Sequence, residues 1–182
     1  MKIENFEICN ASTPPIQNSG GNIVITTSCG SMWGKGNTCE NLLLCPPLQT
    51  DPSVELSVEL RPQFNGEQAG IVLYKDSDNY IKFVREMVQN KQVVVLAKEI
   101  QGNPEPVLIT DFEPSSVELH IDIKQTSLAI KWKSLEASDF HCQEYENWLG
   151  SGVEFNVGLL VHGNNSDNQA VFRSLKINGQ HQ

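Results

Sequence analysis

The chain has 182 residues, of which 39% are hydrophobic, which is enough for one domain with a single core. Its 22 acidic and 13 basic side chains give a formal net charge of -9 and a pI near 4.8. Such a field repels phosphate backbones and anionic lipid headgroups. We therefore expect one domain over residues 1–182, with neither nucleic acid nor a membrane as a partner.

Short apolar segments follow one another along the chain with a period of two. In residues 54–60, the apolar side chains occupy every second position, which places all of them on one face of an extended strand. The same alternation occurs at 117–124 and 155–162. Further extended runs lie at 22–27, 41–45, 68–74, 80–87, 92–98, 106–109, 127–133 and 170–177. With an N-terminal strand near Phe6, these segments make about a dozen strands and predict an all-β fold, a two-sheet antiparallel β-sandwich of the jelly-roll type.

Turn-forming residues separate these runs. Glycine, asparagine and aspartate cluster at 65–66, 76–79, 101–104, 150–152 and 163–167, where they tolerate positive φ or bond their own backbone. The 134–149 segment contains no apolar stripe wide enough for a packed helix, so we interpret it as a loop or a single short helix.

Several features resemble one family of sandwiches when they are taken in order. They are Trp33 in a glycine-rich loop, Glu67-Gln68-Ala69-Gly70 before an aliphatic strand, Asp76-x-Asp78-Asn79-Tyr80-Ile81-Lys82, Glu86, Val117-Glu118-Leu119-His120, and Ala170-Val171-Phe172. This order resembles the concanavalin A-like jelly rolls, specifically the DUF1349 family and the related C-terminal sandwich of family 43 glycosidases. It covers residues 22–177. The family pattern of an Asp-Gly turn and a tryptophan after Trp132 is replaced here by an insertion that reaches Trp148.

The aromatic residues define a candidate sugar site. Pyranose rings stack on tryptophan or tyrosine while nearby polar side chains bind their hydroxyl groups. Trp33 lies in a loop with little to bury it, and Tyr80, Lys82 and Glu86 share one strand face, opposite Ile81 and Phe83. With Gln68 on the preceding strand, these residues form the predicted ligand-binding set: Trp33, Gln68, Tyr80, Lys82 and Glu86. Trp132 alternates in step with core positions, whereas Trp148 could anchor a lid or contact a ligand.

No catalytic pattern occurs in the sequence. Glycosidic hydrolysis needs two carboxyl groups beside the scissile bond, and the Glu-x-Asp-x-x-Glu strand of the active sandwich glucanases is absent. Glu118 and Asp122 share a strand face but lie ~13 Å apart along it. A weak glycosidase that pairs Glu86 with Asp122 or Glu118 is therefore the last of three hypotheses. A non-catalytic carbohydrate-binding or sugar-sensing protein is the first, and a cytoplasmic regulatory or protein-interaction domain linked to sugar metabolism is the second.

Metal and thiol chemistry is also weakly indicated. Asp76-Ser77-Asp78-Asn79 could supply oxygens to a structural calcium ion, but a hairpin turn is the simpler interpretation and we expect no cofactor. The five cysteines have no Cys-x-x-Cys spacing. They predict free thiols, with one bridge among Cys29, Cys39 and Cys45 or a thiolate metal site as the alternatives. The N-terminal residues contain no secretory h-region, which favours the cytoplasm, although a chain whose leader had been removed would look the same.

Overall fold

The computed structural model describes residues 2–11, 16–27, 30–34, 37–38, 40–48, 51–150, 152–163 and 167–178. Within these ranges the chain forms fourteen strands after one 3-10 turn at Ile3–Asn5. The strands are β1 (Glu7–Cys9), β2 (Gln17–Ser19), β3 (Asn22–Thr26), β4 (Leu42–Leu44), β5 (Ser53–Glu59), β6 (Gln68–Asp76), β7 (Asn79–Val88), β8 (Lys91–Ile100), β9 (Asn103–Asp111), β10 (Ser116–Ile123), β11 (Ser127–Ser134), β12 (His141–Glu146), β13 (Asn156–His162) and β14 (Gln169–Asn178).

The strands divide into two seven-stranded sheets. Sheet A has the order β1-β4-β13-β6-β7-β8-β9, and sheet B has the order β12-β11-β10-β5-β14-β3-β2. The paired strands run antiparallel. The predicted all-β sandwich is confirmed.

The main core lies between the sheets and follows from the two-residue alternation. In β10, every second residue from Val117 onward is buried, and the intervening residues reach the outer face of sheet B. Trp132 belongs to this core, as the sequence predicts, and its ring meets Phe83 edge to face at 6.2 Å between centroids. The alternation therefore sets which side chains remain on the outer faces.

Sheet A is buried on its outer face as well. A second apolar cluster covers that face, with Val72, Val84, Val95 and Leu160 from its central strands and Met32 from the loop that precedes β4. Burial on both faces explains why β6, β7 and β8 read as nearly continuous apolar runs. The loop around Met32 thus packs on the outside of sheet A.

The expectation for residues 134–149 was wrong. Part of this segment forms β12, an edge strand of sheet B that pairs with β11 from Ser127↔Glu146 to Trp132↔His141. Its side chains are mostly exposed, so the strand carries no apolar alternation. Backbone pairing with β11 forms the strand, and the side-chain pattern gave no sign of it.

The described cysteines are free. Cys9, Cys45 and Cys142 form no disulfide, and burial raises the pKa of the Cys45 thiol to about 11. Cys29 and Cys39 lie outside the described residues. Among the described side chains, no three His, Cys, Asp or Glu groups cluster as metal ligands would. None of the described segments forms a helix with the length and hydropathy of a membrane span.

Candidate functional site

A pocket of about 190 Å³ opens on the outer face of sheet A. Its walls include four of the five predicted ligand residues, Trp33, Gln68, Lys82 and Glu86, together with His162. Gly30, Ser31, Gly66 and Gly163 complete the lining. Four of the predicted residues therefore meet at one place, Tyr80 does not line the pocket, and His162 joins it.

Strand register assembles the floor of this pocket. His162 on β13 pairs with Gln68 on β6, and Gln68 pairs with Glu86 on β7, so the three side chains form one row across three adjacent strands. Lys82 lies four residues along β7 from Glu86, and its Nζ donates a hydrogen bond to Gln68 Oε1 at 2.8 Å. The floor is thus a preassembled set of hydrogen-bonding groups.

Burial sets the charges of the floor. Lys82 is only 3% exposed and His162 only 5%. Burial, reinforced by the nearby Lys82 ammonium, lowers the pKa of His162 to about 3, so its imidazole is neutral at physiological pH. Burial also raises the pKa of Glu86, and the attraction of Lys82 opposes this rise.

His162 carries an unsatisfied polar atom. Its Nε2 is buried, and no described group forms a hydrogen bond with it. Buried polar atoms almost always have partners, so an exception inside a pocket marks a place for a ligand group or a water molecule. Sequence reasoning missed His162, because only the register of β13 against β6 places it beside Gln68.

Tyr80 is not a ligand platform. Its side chain is 1% exposed and packs in the apolar cluster of the outer face. Its hydroxyl oxygen lies 2.5 Å from the Met32 carbonyl oxygen and 2.6 Å from Glu99 Oε2, within hydrogen-bond distance of both. The loop over sheet A covers Tyr80, which therefore supports the residues next to Trp33 from below.

Trp33 lies at the pocket mouth. It is 44% exposed, and the Lys82 Nζ lies 5.3 Å from its ring centroid, in cation-π range. The other two tryptophans lie elsewhere. Trp148 donates from Nε1 to Glu146 and faces Lys98, which is 4.6 Å from its ring, while Trp132 is in the core.

A buried carboxylate holds one end of the pocket in place. Glu67 is fully buried, and its Oε2 accepts hydrogen bonds from the backbone N–H of Gln63 at 2.6 Å and from Asn168 Nδ2 at 3.1 Å. Gly163 packs closely on Glu67, since a Cβ at residue 163 would lie 2.7 Å from Glu67 Cγ. This packing positions Gly66 and Gly163 in the pocket wall.

The proposed catalytic pair does not form. Glu118 and Asp122 project from the outer face of sheet B, where they bind Lys133 at 3.3 Å and Lys131 at 3.0 Å. Glu86 lies on the opposite outer face of the sandwich, and the two sheets of a sandwich are ~10 Å apart. Neither carboxylate can therefore flank a bond together with Glu86.

The 76–79 segment forms the β6–β7 turn. Asp76 Oδ1 accepts hydrogen bonds from the Asp78 backbone N–H at 2.9 Å and from Asn79 Nδ2 at 2.8 Å. These bonds are those of an aspartate-capped turn. That no cofactor binds here stays a prediction, with a structural calcium ion as its alternative, and melting with and without a chelator would test it.

Solved structures share this fold. The GH43 BlXynB protein from Bacillus licheniformis aligns with a TM-score of 0.74 at 18% identity, over 86% of this chain and 32% of that one. A functionally unknown protein from Saccharomyces cerevisiae aligns over the full length of both chains, with a TM-score of 0.80 at 11% identity. The carbohydrate binding module CBM66 from Bacillus subtilis aligns over 95% of this chain and 94% of its own, with a TM-score of 0.61 at 12% identity.

Sequence comparison gives the family. No curated protein sequence matches the chain significantly. The chain spans about a third of the length of BlXynB, so it corresponds to one part of that protein. The profile of the beta xylosidase C-terminal concanavalin A-like domain matches residues 35–174, which is most of the 182 residues. The chain belongs to the family of beta xylosidase C-terminal concanavalin A-like domains.

Proposed function

We propose that the protein is a non-catalytic carbohydrate-binding domain whose outer-face pocket on sheet A takes one sugar ring. The observation that carries this proposal is the combination of an exposed Trp33 with a buried polar floor. An aromatic surface beside convergent hydrogen-bonding groups is the arrangement that sugar rings require. The finer relationship to the DUF1349 family stays a prediction.

The pocket size favours a single ring. Pockets for drug-sized ligands measure about 300–1,000 Å³, and this one is near 190 Å³. A long oligosaccharide could not lie inside it, whereas the ring at a chain end could. We therefore expect the non-reducing or reducing terminus of a glycan to be the ligand.

The floor supplies complementary groups for hydroxyls. Glu86 is an acceptor, Lys82 is a donor, and the neutral His162 offers its unsatisfied Nε2. Lys82 and Glu86 balance one another in charge, while the whole chain carries -9. The ligand is therefore a neutral sugar in this proposal, since a uronate would meet both Glu86 and an acidic protein.

Catalysis is not part of the proposal. Glu86 is the only carboxylate among the described residues that line this pocket, and glycosidic hydrolysis uses two. Two of the aligned proteins support a carbohydrate role: one is a carbohydrate binding module, and another is a GH43 protein. The similarity to those proteins does not assign their substrates or activities to this chain.

The test is titration of the full chain with a panel of neutral mono- and oligosaccharides by calorimetry. Trp33→Ala should lower the affinity for the best ligand at least about tenfold, which corresponds to roughly 1.4 kcal/mol. Trp148→Ala is the matched control, since Trp148 lies outside the pocket, and it should leave affinity unchanged. A panel without binding, or equal losses in both variants, would refute the proposal.

A further inference from the structure

The loop that carries Trp33 is attached to sheet A on both sides of the tryptophan. On one side, Met32 is fully buried in the apolar cluster, and its carbonyl oxygen lies 2.5 Å from the Tyr80 hydroxyl. On the other side, the backbone N–H of Gly34 donates to Glu99 Oε2 at 2.7 Å. Trp33 itself remains 44% exposed between these two attachments.

Tyr80 and Glu99 act together in this attachment. They are direct cross-strand partners on β7 and β8, and the Tyr80 hydroxyl lies 2.6 Å from the same Glu99 oxygen that Gly34 binds. One carboxylate oxygen therefore accepts from the Gly34 N–H and lies within reach of the Tyr80 hydroxyl, whose single proton can be donated either to this oxygen or to the carbonyl of Met32. Gly34 has φ +72°, a conformation that favours glycine and allows its N–H to reach the carboxylate.

The fold has no packing requirement for a carboxylate at position 99. Glu99 is fully buried, and its Oε1 has no hydrogen-bond partner among the described residues. Burial of a carboxylate is costly unless a cation or a full set of donors compensates it, and an apolar residue would fill the same space without that cost. The groups that Glu99 does bind belong to the Trp33 loop and to its support.

We propose that Tyr80 and Glu99 are positioning residues that hold Trp33 at the mouth of the pocket and thereby set ligand affinity without contacting the ligand. This inference rests on the proposed function. Preorganisation is the physical reason, because a loop that is already held in its binding position loses less entropy when the ligand arrives. Tyr80, which the sequence predicts as a ligand-binding residue, then lies beneath the Trp33 loop and supports it without contacting the ligand.

The test uses the full chain labelled with 5-fluorotryptophan and with ¹⁵N. Tyr80→Phe removes the hydroxyl, and Glu99→Met removes the acceptor at similar length. Both variants should shift or broaden the Trp33 fluorine signal while the Trp132 and Trp148 signals stay in place. Glu99→Met should also speed exchange of the Gly34 amide proton about tenfold or more, because that proton loses its acceptor. Affinity for the best saccharide should fall about tenfold.

Two further variants separate positioning from general destabilisation. Tyr145→Phe removes a hydroxyl that donates to Gln143 on β12, at the edge of the other sheet, and it should change neither the Trp33 signal nor the affinity. Glu99→Gln keeps a neutral acceptor and should restore most of the Gly34 protection. Unchanged Trp33 and Gly34 signals in Tyr80→Phe and Glu99→Met would overturn the inference, as would equal effects from Tyr145→Phe. If the parent binds no saccharide, the proposed function fails, whereas the fluorine and exchange readouts still decide the inference.

Discussion

The two outer faces of the sandwich use polar residues in opposite ways. On sheet B, acidic and basic side chains form cross-strand ion pairs in contact with solvent: Glu59–Arg173, Glu55–Lys176, Asp122–Lys131 and Glu118–Lys133. On sheet A, Lys82 and His162 are buried in the floor of the pocket, and Glu99 is buried against the loop that carries Trp33. Exposed pairs contribute little and cost little, whereas buried polar groups carry a large desolvation cost. The comparison indicates that the polar residues of sheet A serve a purpose other than stability.

The largest expected effect comes from Gly70, in the centre of sheet A. A Cβ at this position would lie 2.3 Å from the Phe83 carbonyl oxygen and 2.7 Å from Val84 Cα, both of which are backbone atoms of β7. Gly70→Ala should therefore separate β6 from β7 and cost about 3 kcal/mol or more of unfolding free energy in urea. Ser174→Ala on sheet B is the control and should stay within about 0.5 kcal/mol. Similar values for the two variants would mean that the strands adjust freely.

The second effect is a loss of stability in acid through His162. Its folded-state pKa is lowered to about 3 from 6.5, so the folded chain binds this proton less readily than the unfolded chain does. The stability contribution is therefore complete above about pH 6.5 and is lost as the pH falls toward 3, by an amount on the order of 4 kcal/mol. His162→Asn should flatten the dependence of unfolding free energy on pH in this window.

The matched control for this prediction is His120→Asn on the outer face of sheet B. His120 is only partly buried, so its removal should change the loss of unfolding free energy at acid pH much less than removal of His162 does. If the unfolding free energy fell equally steeply with decreasing pH in the parent and in His162→Asn, other groups would be the cause of the acid sensitivity.

The third effect separates binding from stability at Glu86. Its pKa is raised in the folded state, so its favourable contribution is present below the unfolded pKa and is lost as the pH rises through the folded value. Glu86→Gln should therefore raise the unfolding free energy at pH 7, while it weakens sugar binding. Glu118→Gln on sheet B should do neither. A loss of stability in Glu86→Gln would mean that its attraction to Lys82 outweighs its burial.

The smallest effect is expected from the ion pairs of sheet B. Lys176 Nζ lies 3.1 Å from Glu55 Oε2, and the lysine side chain is 66% exposed. Lys176→Met should cost about 0.5 kcal/mol or less, and the difference from the parent should vanish in 1 M salt. A larger cost that persisted in salt would remove the contrast between the two faces.

The sequence predicts the sandwich well and the site partly, for physical reasons. Alternation in β5 and β10 is visible because one face of each strand packs into the core while the other faces outward from sheet B, and this places the core correctly. β12 lacks such a face and was missed. Lys82 and Glu86 were found because they lie on one strand with a fixed period.

The remaining parts of the site depend on contacts between distant segments. His162 joins the pocket through pairing with Gln68, more than ninety residues earlier in the chain. Tyr80 alternates in step with the pocket residues, but the loop around Met32 covers it. A single sequence carries no signal for strand register or for loop placement over such separations.

Strand order has a consequence for synthesis of the protein. β13 inserts between β4 and β6, so the pocket needs side chains from Trp33 through His162 before it exists. A nascent chain that has emerged only as far as β12 lacks one wall of the pocket and also the strand that joins β4 to β6. If the protein binds a sugar as proposed, a resin that carries this sugar would retain only chains in which β13 has already paired with β4 and β6, which is a slow step because these strands are far apart in sequence.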